Sequence, residues 1–160
     1  MPERYITLDF ESSGLAEHSY PIEVGVAIGD GQRIAQRFNT LIRPRAGWIE
    51  HGVWLAAAQA IHGITEAELS QGLDADEVCD RLDAMLKGQV VIVDGGEWDI
   101  YWLLRLYAGR KPAFRLCDIE KVPYNALAQM REKISVAHRA QADADWLHDA
   151  LMAIEWKIAA

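Results

Sequence analysis

Asp9 and Glu11 stand two residues apart in Tyr5-Ile6-Thr7-Leu8-Asp9-Phe10-Glu11, where apolar and polar residues alternate. Alternation at period two marks a strand, so both carboxylates leave it on the same side. At roughly 3.3 Å per residue they root about 6.6 Å apart and can lean together. Two anions this close raise each other's pKa unless cations sit between them. A solvated acidic strand face is the alternative. Against it, Ser12-Ser13-Gly14 ends the strand abruptly, and turns at the carboxyl ends of strands are common places for a site.

Two further aspartates lie far along the chain. Asp99 falls in the first turn of a predicted helix, with Trp102, Leu103 and Leu106 following on its face. Asp143 precedes Leu147 by four residues, in register with a stripe through Leu151, Ile154 and Ile158. Taken singly, each reads as an acid favoured by a helix dipole, worth about 0.3–1 kcal/mol. Both are nevertheless in register with core-facing residues, and an unpaired buried carboxylate costs several kcal/mol or stays protonated. Taken with Asp9 and Glu11, four acids from one strand and two helices could converge, and two divalent cations would balance them. Mg²⁺ or Mn²⁺ suits such an oxygen-rich site and keeps positions open for phosphate and water. Two ions about 3.5–4 Å apart clamp the attacking and leaving oxygens of a phosphodiester. His138 lies five residues before Asp143, and a histidine titrating near about 6.5 can accept a proton from an attacking water. A surface or capping histidine is the alternative, and His18, His51 and His148 are assigned to it.

The elements that must position these groups follow from pattern. Residues 21–28 read as a second strand, Gly29-Asp30-Gly31 as a turn, and 33–42 as a third strand returning antiparallel. Residues 45–60 read as a connector with a short helix over 55–60. A turn follows around Gly63, and Thr65 with Glu68 forms a capping box for a short helix through Leu69. Helical spacing covers 75–86, and the all-apolar Val90-Val91-Ile92-Val93 reads as a strand buried on both faces. Further helices are predicted over 97–108, with a stripe of Ile100, Leu103, Leu104 and Tyr107, over 124–131 and over 139–158, and a strand over 114–118. This order gives a mixed sheet with helices on its faces.

Length favours one domain over 1–160, and 51% hydrophobic residues suffice for a core. The net charge of −8 argues against coating duplex DNA by bulk positive charge. It is compatible with gripping one nucleic-acid end, because metals cancel active-site carboxylates locally. Cys79 and Cys117 lack metal-ligand spacing and fit a reduced, cytoplasmic setting. There is no pattern of a signal peptide or membrane span.

Asp9-Phe10-Glu11, Asp99 and His138-Arg139-Ala140-Gln141-Ala142-Asp143 resemble the three motifs of the DEDDh 3′–5′ exonucleases, a group that includes ribonuclease T and the proofreading subunit of bacterial DNA polymerase III. Ser12-Ser13-Gly14-Leu15, Pro21-Ile22-Glu23-Val24-Gly25 and Ile61-His62-Gly63-Ile64-Thr65 extend the resemblance over most of the chain. It implies a ribonuclease-H-like α/β fold: a five-stranded mixed sheet, its first three strands antiparallel, with helices on both faces. Asp9, Glu11, Asp99 and Asp143 would hold two metals and His138 would be the general base. The backbone around Phe10, Ser12 and Ser13, with His62 and Ile64, would hold the 3′-terminal nucleotide. The implied activity is metal-dependent release of nucleoside 5′-monophosphates from single-stranded DNA or RNA, serving DNA repair or RNA processing.

The second motif departs from the family. Many members carry His-Asn, a small residue and Phe before the aspartate; here Asp94-Gly95-Gly96-Glu97-Trp98 precedes Asp99. Trp98 can replace Phe as packing, but losing the amide puts substrate contacts in doubt. Asp94 and Glu97 either assist metal binding or only favour the helix start. Arg105, Arg110, Lys111 and Arg115 form one basic patch; Arg131, Lys133 and Arg139 form another, with Arg139 assigned to substrate. A catalytically weak nucleic-acid-binding or partner-binding module on the same fold is the alternative. The sequence leaves open whether the chain pairs with a second copy.

Overall fold

The computed structural model describes residues 4–119 and 138–154. Among these, six strands form one sheet: β1 (Ile6–Ser12), β2 (Pro21–Gly29), β3 (Ile34–Arg43), β4 (Leu73–Asp74), β5 (Val90–Val93) and β6 (Arg115–Asp118). Their order is β4-β3-β2-β1-β5-β6. β1, β2 and β3 are antiparallel neighbours, whereas β5 runs parallel to β1 and β6 parallel to β5. This is the mixed α/β layout expected, with one strand more. The addition, β4, pairs parallel with the end of β3 over two residues, too short a run to show alternation.

The helices are α1 (Ala46–His51), α2 (Ala56–His62), α3 (Ala75–Leu86), α4 (Glu97–Tyr107) and α5 (Ala140–Ala153), with a 3-10 turn over Glu66–Gln71. Thr65 and Glu68 make the predicted capping box there. α1 falls in the predicted connector; no side chain caps it and no acid occupies its first turn, so it carries neither signal that announces a helix start. The helix expected over 124–131 lies outside the described residues, as do Arg131, Lys133 and the end of the predicted last helix.

One sheet face packs Leu8, Phe10, Val24 and Val26 against Val78, Leu82 and Leu86 of α3 and Trp102, Leu103 and Leu106 of α4. The other face meets α5 through Trp146, Leu147, Ala150 and Leu151. β5 serves both faces: Val91 and Val93 join the first layer and Ile92 the second, as an unbroken apolar run requires.

Two sequence expectations are displaced. Ile100 and Leu104 of the predicted α4 stripe are solvent-exposed, and the buried stripe is Asp99, Trp102, Leu103, Leu106 and Tyr107. Hydropathy alone put the stripe one position off, while spacing from Asp99 gives the observed face. His148, assigned to the surface, is wholly buried. It follows Ala144 by four residues and precedes Leu151 by three, so it rides the apolar stripe and meets Tyr5 edge-on at 6.3 Å.

Candidate active site

Asp9 and Glu11 leave β1 on the face that α5 covers. Thr7, on that same face, donates from its hydroxyl to the Ala144 carbonyl at 2.6 Å, tying strand to helix just below them. Gly25 faces Asp9 across the β1–β2 ladder. A Cβ at Gly25 would collide with the Ala140 carbonyl carbon and the Gln141 nitrogen. The start of α5 therefore rests on β2 main chain to main chain, and Asp143, in the helix's first turn, arrives beside Asp9 and Glu11. One oxygen from each of Asp9, Glu11 and Asp143 lies within 4.8 Å of the other two.

Asp99 reaches the same place from the opposite side. β5 ends beside β1, and Asp94-Gly95-Gly96 turns the chain into α4. The Gly95 N–H donates to Asp99 Oδ2 at 2.8 Å. A Cβ on Gly95 would stand 2.5 Å from that oxygen, and Gly96 takes φ 61°, ψ −134°, a region that side chains disfavour. The two glycines thereby fold Asp94 back over the helix start, and oxygens of Asp9, Asp94 and Asp99 also lie within 4.8 Å of one another. All four predicted acids thus meet in two triads that share Asp9.

This proximity is costly without cations. Burial, then the charges of Asp143 and Glu23, push the Glu11 carboxyl up to about 8, with Arg139 opposing and Asp99 adding. Burial also raises Asp99 well above the usual carboxylate range, against the Gly95 hydrogen bond and with the charge of Asp118. Asp99 is 1% exposed and its Oδ1 has no hydrogen-bond partner among the described residues. A buried carboxylate oxygen in that position needs a proton or a cation. All-oxygen triads of carboxylates are the donor set of a hard divalent ion, so these residues fit the expected metal.

His138 directly precedes Arg139 in the segment entering α5; it is exposed and has φ 45°. Arg139 is clamped by Glu23, a β2 carboxylate that is 1% exposed. Arg139 Nε and Nη2 donate to Glu23 at 3.0 and 2.8 Å, and the Ala140 N–H donates to it at 3.1 Å. The Arg139 bonds, the Ala140 N–H and Asn39 together hold Glu23 below the usual carboxylate range despite its burial. Glu23 was not singled out as a site residue, although a lone acid inside Pro21-Ile22-Glu23-Val24-Gly25-Val26 was the signal.

The residues expected around a terminal nucleotide are mostly spent on architecture. The Phe10 and Ile64 side chains lie in the core. The Ser12 hydroxyl donates to the Gly14 carbonyl at 3.1 Å, and the Ser13 hydroxyl accepts from the Tyr20 N–H at 2.9 Å. His62 is buried, accepts from the Ile64 N–H at 3.0 Å and meets Trp54 edge-on. Burial lowers its pKa, with the Ser12 backbone opposing. Trp102 is core, stacked on Trp98 with its N–H on the Ser19 hydroxyl. In the first basic patch, Arg110 is held by Asp80 at 2.6 Å and by Asp76 and Asp83.

The exonuclease model named RNase_T matches residues 6–154. No curated protein matches the sequence. Among solved structures, cell-death related nuclease 4 superposes with TM-score 0.71 at 17% identity over 94% of this chain and 63% of its own. E. coli ExoI, in a complex with single-stranded DNA and zinc, gives 0.69 at 14% over 96% and 40%. A 3′-exonuclease recognising the histone mRNA stem-loop gives 0.68 at 18% over 95% and 63%. At these identities the likeness is one of fold, and the chain spans 40% to 63% of the length of these structures.

Proposed function

The chain belongs to the RNase_T exonuclease family, and on that premise we propose that it is a metal-dependent 3′–5′ exonuclease releasing nucleoside 5′-monophosphates from single-stranded DNA or RNA. The observation that carries this reading is the pair of carboxylate triads sharing Asp9. Asp9, Glu11, Asp99 and Asp143 would hold two divalent ions, Mg²⁺ or Mn²⁺. Bound there, the ions supply Lewis-acid stabilisation to the reacting phosphodiester.

The chain's own residues do the rest. A ring nitrogen of His138 accepts the proton of the attacking water. The new bond joins that water's oxygen to phosphorus and the P–O3′ bond breaks, so the terminal residue leaves with a 5′-phosphate. The Glu23–Arg139 clamp fixes the segment that carries His138. Backbone of Phe10 to Ser13, with His62 and Ile64, borders the terminal nucleotide, and the exposed part of the Arg139 guanidinium faces the phosphates. The net charge of −8 disfavours broad contact with a duplex, so a single-stranded 3′ end is the substrate.

Oligonucleotides labelled at the 3′ or the 5′ end test this. A 3′ label should appear at once as mononucleotide and a 5′ label only in a shortening ladder, and EDTA should stop both. Absence of metal-dependent release from single-stranded DNA and RNA would refute the proposal and leave a binding module on the same fold.

A further inference from the structure

We propose that Asp94 is a fifth carboxylate ligand, completing with Asp9 and Asp99 a three-carboxylate site for one of the two ions, so that both load before nucleic acid arrives. The inference rests on the metal-site reading above and adds a residue to it.

Without Asp94 the acids divide unevenly. Asp9, Glu11 and Asp143 surround one position with three carboxylates, whereas the other would have only the shared Asp9 and Asp99. An ion with two protein carboxylates fills the rest of its sphere with water and substrate phosphate, so it is held less firmly before substrate arrives. Asp94 supplies a third oxygen within 4.8 Å of the others. The buried Asp99 Oδ1, with no hydrogen-bond partner among the described residues, independently calls for a proton or a cation at this position.

The position of Asp94 is not that of the helix cap. The N-cap of α4 is Gly96, with no side-chain cap hydrogen bond, and Asp94 lies two residues before it. Glu97 already occupies the first turn and is exposed. The Gly95-Gly96 backbone instead turns Asp94 back toward Asp99, a path that both a Gly95 Cβ and the Gly96 torsions would obstruct for other residues.

The test is Mn²⁺ titration of the full chain without nucleic acid, by calorimetry and by the EPR signal of free Mn²⁺. Wild type should bind two ions. Asp94→Asn, nearly isosteric, should keep one at wild-type affinity and weaken the other at least ~10-fold, the lower end of the loss seen when even groups behind a ligand are removed. Asp94→Ala should do the same, and a thermal midpoint in EDTA no lower than that of wild type shows that the fold is intact. Glu97→Gln removes a charge from the same region and should titrate like wild type. Asp94→Asn and Asp94→Ala binding two ions as wild type does, or losing no more than Glu97→Gln, would overturn the role of Asp94 and leave the four-acid site standing. A wild-type protein that takes up one ion alone would overturn it too. No Mn²⁺ uptake at millimolar concentration would overturn the metal-site reading itself.

Discussion

Glu11→Gln should stabilise the metal-free protein at alkaline pH while weakening binding of the ion that Asp9, Glu11 and Asp143 would hold. In the folded chain the Glu11 carboxyl titrates near 8 rather than 4.5. Between those values the native state holds a proton that the unfolded chain has released, so stability falls as pH rises across the window. At 1.36 kcal/mol per unit the full linkage is about 3 kcal/mol at pH 7 and approaches about 5 kcal/mol above pH 8. Water entering the partly open site screens this to about 1–3 kcal/mol at pH 8. Glutamine cannot ionise and escapes the cost. In EDTA, urea midpoints of wild type and Glu11→Gln should coincide near pH 4.5 and separate toward pH 8, with the variant higher. Mn²⁺ should raise the wild-type midpoint at pH 8 much more than at pH 5, because ion and proton compete for the same oxygens. A variant less stable than wild type in EDTA at pH 8 would refute the electrostatic reasoning.

Gly25→Ala should destabilise the fold by at least about 1–3 kcal/mol, the usual cost of overpacking, because its Cβ meets helix backbone that cannot rotate aside; denaturant unfolding and Mn²⁺ affinity should fall together. His138→Ala should lower kcat by about 10²–10⁴-fold, the range for general-base loss, with Mn²⁺ affinity unchanged in the same calorimetric titration.

The site was legible to the degree that its geometry follows from period. Asp9 and Glu11 share a face because strands alternate, and Asp99 shares the face of Trp102 because helices repeat every 3.6 residues. Both relations survive in the structure. What the sequence hid depends on contacts between distant segments. Nothing local to Glu23 announces Arg139, 116 residues away, although a charge within an apolar strand asks for a partner. For Asp94 the sequence leaves metal binding and the helix start both open, because a turn's direction is not written in its composition; two glycines permit many paths, and the Gly95 N–H bond to Asp99 fixes one. α1 and β4 escaped because six residues and two residues are too few to establish a repeat.

The seating of α5 on β2 has an evolutionary corollary. Where that helix starts on the sheet is set in part by a peptide unit touching a peptide unit, through atoms common to every amino acid. Substitutions at core positions that do not hold α5 leave that contact untouched, whereas the buried Thr7 and Glu23, which bond the same helix, share in setting the span between Asp9 and Asp143. Sensitivity to drift is concentrated in a few positions, and at one of them, Gly25, there is no side chain to vary.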